Sequence, residues 1–413
     1  MTNIKKLYLV SLTSGMLFYT PVMTLFLLQR GISVGFLVAA QTMFSVAMMA
    51  AELPTGVLAD KYGQKVSIRL SLLLDAFGML QLLLIHSQLA LLIFFAVRGV
   101  SIAFRSGSDE ALLYESYVEE HGSAAGYSKA YGKFVSNDLL GFVAAAAIAG
   151  LAVQQFGTSA YVPLIIATGL IVLAALSVTY TLHGGGKPKP AKQDFSSVAH
   201  LKQSLKLVRK DQTIFALAIA GLLTLNGEYF LRQTYQPYFQ QMAVPALFLG
   251  VALAVGKLLN YGVIRWSHVL EKYLTVDQII LWVNLSTGVL FAGLSLARSP
   301  WALVPLFVLV QGLLNAERPV VSDYVNQRTE SFQRSTVLSA VSFVQNLGQV
   351  GVRLALGVSV GLIGVGSSYM VQGAYMVVGA LIGAWYLRRC GCVHKVKPTR
   401  AGPKDLSLVE EVA

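Results

Sequence analysis

Apolar stretches of about twenty residues recur along almost the whole chain, each long enough to cross the hydrocarbon core of a bilayer. Twelve are read: 7–29, 36–58, 66–86, 89–115, 129–153, 160–182, 212–236, 246–268, 274–297, 300–317, 335–362 and 366–387. Lipid offers backbone amides no water, so stretches of this length must close their own hydrogen bonds as helices. Composition agrees: the 413 residues are 55% hydrophobic and 13% charged, against about 25% charged in an average soluble domain. A single soluble domain is therefore excluded, and so is disorder, which needs low hydrophobicity and high net charge. The first stretch is too long for a signal-peptide core and has no small-residue cleavage site, so it is kept as a span.

The net charge of +12 is distributed unevenly. If the spans alternate, 25 of the 32 Lys and Arg fall in loops on one side, and only Arg30 and Arg298 on the other. The basic side faces the cytoplasm, so both termini and the long interval 183–211 are placed there. This placement points to anionic lipid headgroups as the partner of the positive charge, not nucleic acid.

The interval 183–211 divides the spans six and six, giving four regions: bundle 1–182, linker 183–211, bundle 212–387 and tail 388–413. Weak self-similarity supports a duplication. At an offset of 207, Glu110 matches Glu317, Tyr117-Val118 matches Tyr324-Val325, Ser128 matches Ser335 and Leu140-Gly141 matches Leu347-Gly348. The expected fold is an all-α membrane protein of twelve transmembrane helices in two pseudo-symmetric six-helix bundles. Parallel halves imply a site between them near the bilayer midplane, reached alternately from each side as they rock.

The strongest local signal follows the second span, in Gly56-Val57-Leu58-Ala59-Asp60-Lys61-Tyr62-Gly63-Gln64-Lys65. Gly56 would let two helices approach closely and Gly63 would permit a tight turn. Asp60 can accept from a helix N-terminus or pair with a cation, and Lys61 and Lys65 would face anionic headgroups. An ordinary basic hairpin is the alternative. The segment resembles the G-x-L-A-D-[RK]-x-G-[RK]-[RK] signature between helices 2 and 3 of the major facilitator superfamily, departing from it at Gln64. Glu52-Leu53-Pro54-Thr55, the segment Ser106 to Glu115, and Gln236-Pro237-Tyr238 resemble further motifs of a bacterial branch of that family. The resemblance covers essentially the whole chain. It implies a transporter of the bacterial cytoplasmic (inner) membrane in which Asp60 latches the halves in the outward-facing state, with Gly56 and Gly63 shaping the loop. An exporter pattern of helix 5 fits less well. Gly132 and Gly141 keep its spacing, but Ala145-Ala146 stand where Gly-Pro is expected.

Charges inside the membrane each call for a cause, since one at mid-depth costs at least about 2.5–3.5 kcal/mol. Arg98 is read as a substrate anchor or proton-relay partner, or else as half of an ion pair with Asp75 or Glu52. Arg105 and Asp109 share its helix face at helical spacing and read as a latch at the cytoplasmic end. Lys257, with Asn260 and Tyr261 one turn on, would anchor an anion, exchange a proton, or join an inter-helix salt bridge. Ser342, Gln345, Gln349 and Arg353 form a polar stripe that should line water or substrate, with helix-to-helix bonding as the alternative. Glu228 and Arg232, four apart, read as an ion pair on one helix. Glu52, on one face with Gln41 and Ser45, and Asp138 are the candidate proton carriers, with Asp75 a weaker one. Tyr19, Tyr229 and Tyr261 could line an amphipathic pocket, whereas Tyr235 and Tyr238 read better as interface anchors.

The sequence contains no G-x4-G-K-[ST] phosphate loop and no Ser/His/Asp arrangement. Cys390 and Cys392 read as bystander thiols, and no Cys/His cluster has metal-ligand spacing. Gly184-Gly185-Gly186 opens a linker whose Val198–Lys210 stretch reads as a basic amphipathic helix on the membrane surface. These observations lead to a monomeric, cofactor-free secondary transporter, not an enzyme, that moves a small organic solute with protons as the coupling ion. Efflux of a drug or metabolite is set against uptake of an anionic solute such as a siderophore or carboxylate, which the cations Arg98, Lys257 and Arg353 would favour. A membrane receptor or scaffold that transports nothing is the reading from another class. It predicts mutually paired charges and no cavity, where transport predicts a polar cavity touching spans 1, 4, 7 and 10.

Overall fold

The computed structural model describes residues 2–123, 126–183, 215, 221, 227–270, 273–321 and 334–389. Among them every regular element is helical. In order these are α1 (Asn3–Gly15), α2 (Met23–Leu28), α3 (Val34–Tyr62), α4 (Gln64–Leu84), α5 (Gln88–Arg105), α6 (Ser108–His121), α7 (Tyr127–Phe156), α8 (Tyr161–Tyr180), α9 (Gly227–Gln241), α10 (Phe248–Leu270), α11 (Val276–Leu296), α12 (Pro300–Leu313) and α13 (Arg334–Arg389). The Val198–Lys210 stretch, Cys390, Cys392, and the side chains of Asp60 and Ser342 lie outside the described residues.

Local chemistry sets the ends of these helices. Ser33, Ser87 and Ser299 cap α3, α5 and α12 by accepting from the amides of Phe36, Ala90 and Ala302. Eight stretches of the described residues are long and apolar enough to cross a bilayer. Two of them, Tyr127–Tyr180 and Gln345–Arg389, have 54 and 45 residues. Even 45 residues as one straight helix would reach about 70 Å, twice the hydrocarbon thickness. The first holds two helices that meet beyond Gly157, and the second breaks at Gly364, where φ is 79°.

Three expectations are corrected. The first span is not one helix: α1 stops at Gly15 and α2 starts at Met23, with Pro21, which lacks an N–H, between them. The fourth span breaks at Gly107 (φ 75°), so Arg105 and Asp109 do not share one helix face; their ion pair bridges the break. The segment after the second span is scarcely a loop. Residues 56–62 complete α3, and the whole reversal is made at Gly63, whose φ of 92° suits glycine. A Cβ at Gly56 would meet nothing within 4 Å, so Gly56 makes no close helix contact here.

Packing follows small residues. α3 lies against α5 and α13, α1 against α7 and α8, α4 against α5 and α8, α10 against α7 and α12, and α11 against α12 and α13. One large apolar cluster includes Phe26, Phe94, Phe95, Tyr235, Phe291, Phe307 and Tyr369, drawn from both sides of the central linker. Many of its members, such as Phe94, Ala149, Val153, Phe239, Phe291 and Leu303, lie nearer the helix ends remote from the basic loops. At the basic end a second cluster, with Leu7, Ile68, Leu72, Leu113, Phe134 and Val172, is built from residues 4–182 alone. There Lys6, Lys65 and Arg69 donate to the Thr181, Leu182 and Thr179 carbonyls, placing three cations at the negative end of the α8 dipole.

Candidate functional site

The break between α1 and α2, the middle of α3, the middle of α5 and the face of α9 enclose a cavity of about 320 Å³. Its polar lining includes Tyr19, Gln41, Arg98, Tyr229, Arg232 and Gln236, with Thr20 and Gln233 beside them, and its apolar wall includes Phe44, Phe94 and Phe95. These elements belong to spans 1, 2, 4 and 7. Span 10 was expected among them, but it contributes no lining residue. Its Phe307 packs instead on Tyr235, with ring centroids 4.9 Å apart, behind the α9 wall.

Arg98 reaches the cavity from α5 and pairs with Asp75 of α4, whose carboxylate also takes the Ser101 hydroxyl. Of the two partners expected for Arg98, the structure selects Asp75, because Glu52 lies nearer the basic end of α3. Gly78, three residues after Asp75, leaves room for the arginine stem: a Cβ there would lie 3.2 Å from Arg98 Cδ.

Lys257 and Glu228 form an ion pair between α10 and α9, Nζ to Oε1 2.7 Å. Asn315 donates to the other oxygen of Glu228 at 2.8 Å. Glu228 therefore makes its direct ion pair with Lys257 and not with Arg232, which acts on it only at a distance. The i,i+4 spacing brings their Cβ atoms near, but the carboxylate turns to α10 and the end of α12, while Arg232 turns over the Tyr229 ring, 5.1 Å from its centroid. Asn260 bonds the Gly312 and Leu314 carbonyls at 3.0 and 2.7 Å, and Tyr261 meets Ser136 of α7 at 3.2 Å. The polar face expected beside Lys257 thus joins helices and does not line the cavity.

Arg353 is buried at 2% exposure. It donates to Ser45 of α3 and, at 2.7 Å, to Gln349, and lies 4.3 Å from the Tyr229 centroid. Its Nε has no acceptor among the described residues. Gln345 stands one turn before Gln349 and makes no contact with the cavity. Glu52 and Asp138 lie toward the basic end, and neither has an ion-pair partner among the described residues. Glu52 follows Gln41, Ser45 and Met48 along one face of α3. Lys61 lies 5.3 Å from the Tyr62 centroid.

The cavity is sealed at the end remote from the basic loops. Gln236 inserts into the break in span 1: its amide donates to the Thr20 carbonyl at 2.8 Å and accepts from the Thr24 and Leu25 amides at 2.9 and 3.3 Å. One side chain thereby satisfies three of the backbone groups that the break leaves open, and Thr168 accepts from the Tyr19 amide; such pairing is the condition for irregular backbone at membrane depth. Gln233 donates to Gln41 at 3.0 Å. Beyond them two glycine pairs bring backbones together across the halves. A Cβ at Gly250 would lie 1.8 Å from the Ala146 oxygen, and one at Gly35 would lie 2.6 Å from the Gly357 oxygen.

Gln233 and Gln236 were not singled out as site residues. The available signal was two amides three residues apart beside Arg232, with Gln236 inside the Gln236-Pro237-Tyr238 motif. Their role depends on a break in another helix.

Among the described residues the regular elements are helical, several are apolar and long enough to cross a bilayer, and a polar cavity is walled by distant parts of the sequence, which is the architecture of an integral membrane protein. The Major Facilitator Superfamily model matches residues 7–350, and the chain belongs to that family, a class of transporters and not of enzymes. It is 20% identical over 380 residues to the uncharacterized MFS-type transporter YxaM of Bacillus subtilis (strain 168), covering 88% of this chain and 90% of that protein. Among solved structures, the nucleoside transporter NupG superposes with a TM-score of 0.76 at 14% identity, over 94% of this chain and 100% of that one. The D-xylose-proton symporter gives 0.69 at 14% identity, over 92% and 97%. Both share the fold.

Proposed function

We propose that this protein is a secondary active transporter that carries a small organic solute across the cytoplasmic membrane by alternating access coupled to protons. Its twelve spans form two six-helix bundles, 1–182 and 212–387, joined by a cytoplasmic linker. The observation that carries the reading is the central cavity, sealed on one side by Gln236, Gln233 and the glycine pairs. The sealed side is remote from the basic loops, so the positive-inside rule makes it the outer side and the conformation a cytoplasm-facing one. A cavity of about 320 Å³ is at the small end of the ligand-site range of about 300–1,000 Å³ and suits a compact solute.

Glu52 and Asp138 are the proposed proton carriers. Both are carboxylates without an ion-pair partner among the described residues, on the cytoplasmic side of the cavity, where a proton could enter from water. Asp60, Gly63, Lys61 and Lys65 at the α3–α4 turn and the Arg105–Asp109 pair across the α5–α6 break form the proposed conformational latch.

The test is flux in proteoliposomes across a panel of anionic, neutral and cationic solutes, with and without an imposed proton gradient, in both vesicle orientations. The gradient should drive accumulation of at least one solute, and a protonophore should abolish it. Asp60→Asn should lower that flux about tenfold, the loss of roughly 1.4 kcal/mol of latch energy, with membrane insertion unchanged. Flux that ignores the gradient would remove proton coupling from the proposal, and flux of no solute would remove the transport reading.

A further inference from the structure

The cavity is flanked by three guanidinium groups, and their charge balance is unequal. Arg98 is neutralised by Asp75. Lys257, behind the wall, is neutralised by Glu228. Arg232 acts on the Glu228 carboxylate only at a distance, Lys257 holding its oxygen, and neither Arg232 nor Arg353 makes a direct ion pair among the described residues. The two approach the same Tyr229 ring, at 5.1 and 4.3 Å from its centroid, and among the described residues no carboxylate lines the cavity. Of these two, Arg232 lines the cavity and Arg353 stands behind it, held by Ser45 and Gln349. Two unbalanced positive charges in a low-dielectric setting repel each other and attract an anion strongly. The remaining wall is aromatic, from Phe44, Phe94 and Phe95.

We infer that Arg232 is the anchor for the anionic head of the solute, and that the solute is a small, flat organic monoanion whose body lies among Phe44, Phe94 and Phe95. This rests on the transport reading and deepens it. Gln233 and Gln236 flank Arg232 on the cavity face of α9 and supply neutral donors for the remaining lone pairs of the head group. Guanidinium matches a carboxylate with two parallel hydrogen bonds, so the charge of the head decides affinity more than the outline of the body. Because Gln236 also seals the outer side, a solute that draws on its amide loosens the seal, so that binding and outward opening are coupled through one side chain.

The experiment measures binding by the purified full-length protein in nanodiscs, using three probes of nearly the same shape: benzoate, benzamide and benzylammonium. Benzoate should bind at least about tenfold more tightly than the other two, the discrimination that one charge-assisted hydrogen bond supplies. Arg232→Gln should abolish that preference, and Arg232→Lys, which keeps the charge but loses the planar fork, should retain part of it. Circular dichroism and a melting midpoint for each variant show that it is folded. Equal binding of the three probes, binding of none, a preference for benzylammonium, or a preference for benzoate that survives in folded Arg232→Gln would each overturn the assignment. Flux separates the two readings. Selective benzoate binding with no flux of any anion leaves the anion site standing and removes the transporter. Proton-driven flux of a neutral or cationic solute, undiminished in Arg232→Gln, does the reverse.

Discussion

Replacing Gly250 with leucine stops transport while leaving the protein folded in the membrane. α10 crosses α7 at this glycine, with Gly150 facing it, and a Cβ at 250 would lie 1.8 Å from the Ala146 oxygen and 2.7 Å from the Gly150 nitrogen. Both are backbone atoms and cannot turn aside, so the helices must separate at the sealed end. An overpacking penalty of about 3 kcal/mol confined to this conformation shifts the population about a hundredfold toward the outward-open state. Two readings check it. Flux should fall to background, and a cysteine introduced at Thr24, in a background with Cys390 and Cys392 replaced by serine, should become reactive to an impermeant thiol reagent added outside. Normal flux with an unreactive Thr24→Cys would mean that the α7–α10 contact is not the outer seal. Gly357→Leu, across the other contact with Gly35, should behave alike.

The second large effect lies in the Arg98–Asp75 pair, whose side chains are only 13% and 10% exposed. Asp75→Asn removes the neutralising charge and leaves a buried guanidinium with the Ser101 hydroxyl and an amide. Breaking one side of such a pair costs about 3–5 kcal/mol, which would lower the melting midpoint by on the order of 10 °C. Arg98→Gln together with Asp75→Asn removes both charges and should recover most of that loss, since the penalty belongs to the uncompensated ion. A thermal melt of the single and double variants decides it. An Asp75→Asn protein as stable as the parent would show that Arg98 is neutralised by other groups, and a double variant no better than the single would assign the loss to packing. The same logic applied to Lys257 and Glu228, each 26% exposed, gives a smaller effect because water screens the pair.

These predictions differ in how far the sequence foresaw them. The Arg98–Asp75 pair was one of two alternatives, left open because residues on neighbouring spans have no fixed separation in sequence. The glycine contacts had a partial trace. Gly141, Ala145, Ala146, Ala149 and Gly150 repeat small residues along the face of α7, and a Cβ at Gly141 would lie 2.1 Å from the Leu12 oxygen. Small residues on one helix face permit close neighbours, but do not say that these are α1 on one side and α10 on the other. Gly63 was legible because its turn is local. The close approach expected at Gly56 did not appear, because a helix contact needs a second helix, and none lies opposite it here.

The lengths of the apolar stretches and the uneven placement of Lys and Arg were enough by themselves to require membrane-crossing helices and to predict which ends face the cytoplasm, since desolvation of the backbone and the cost of moving charge across lipid act on each segment separately. Charge pairing was decided only in three dimensions. Glu228 and Arg232 share a helix face, yet the carboxylate bonds Lys257 and Asn315 on other elements. Side-chain direction and the nearest opposite charge decide a pair in a low dielectric, and the nearest charge lies on another helix. That exchange of partners leaves Arg232 at the cavity, and the packing that brings α10 and α12 to Glu228 determines it.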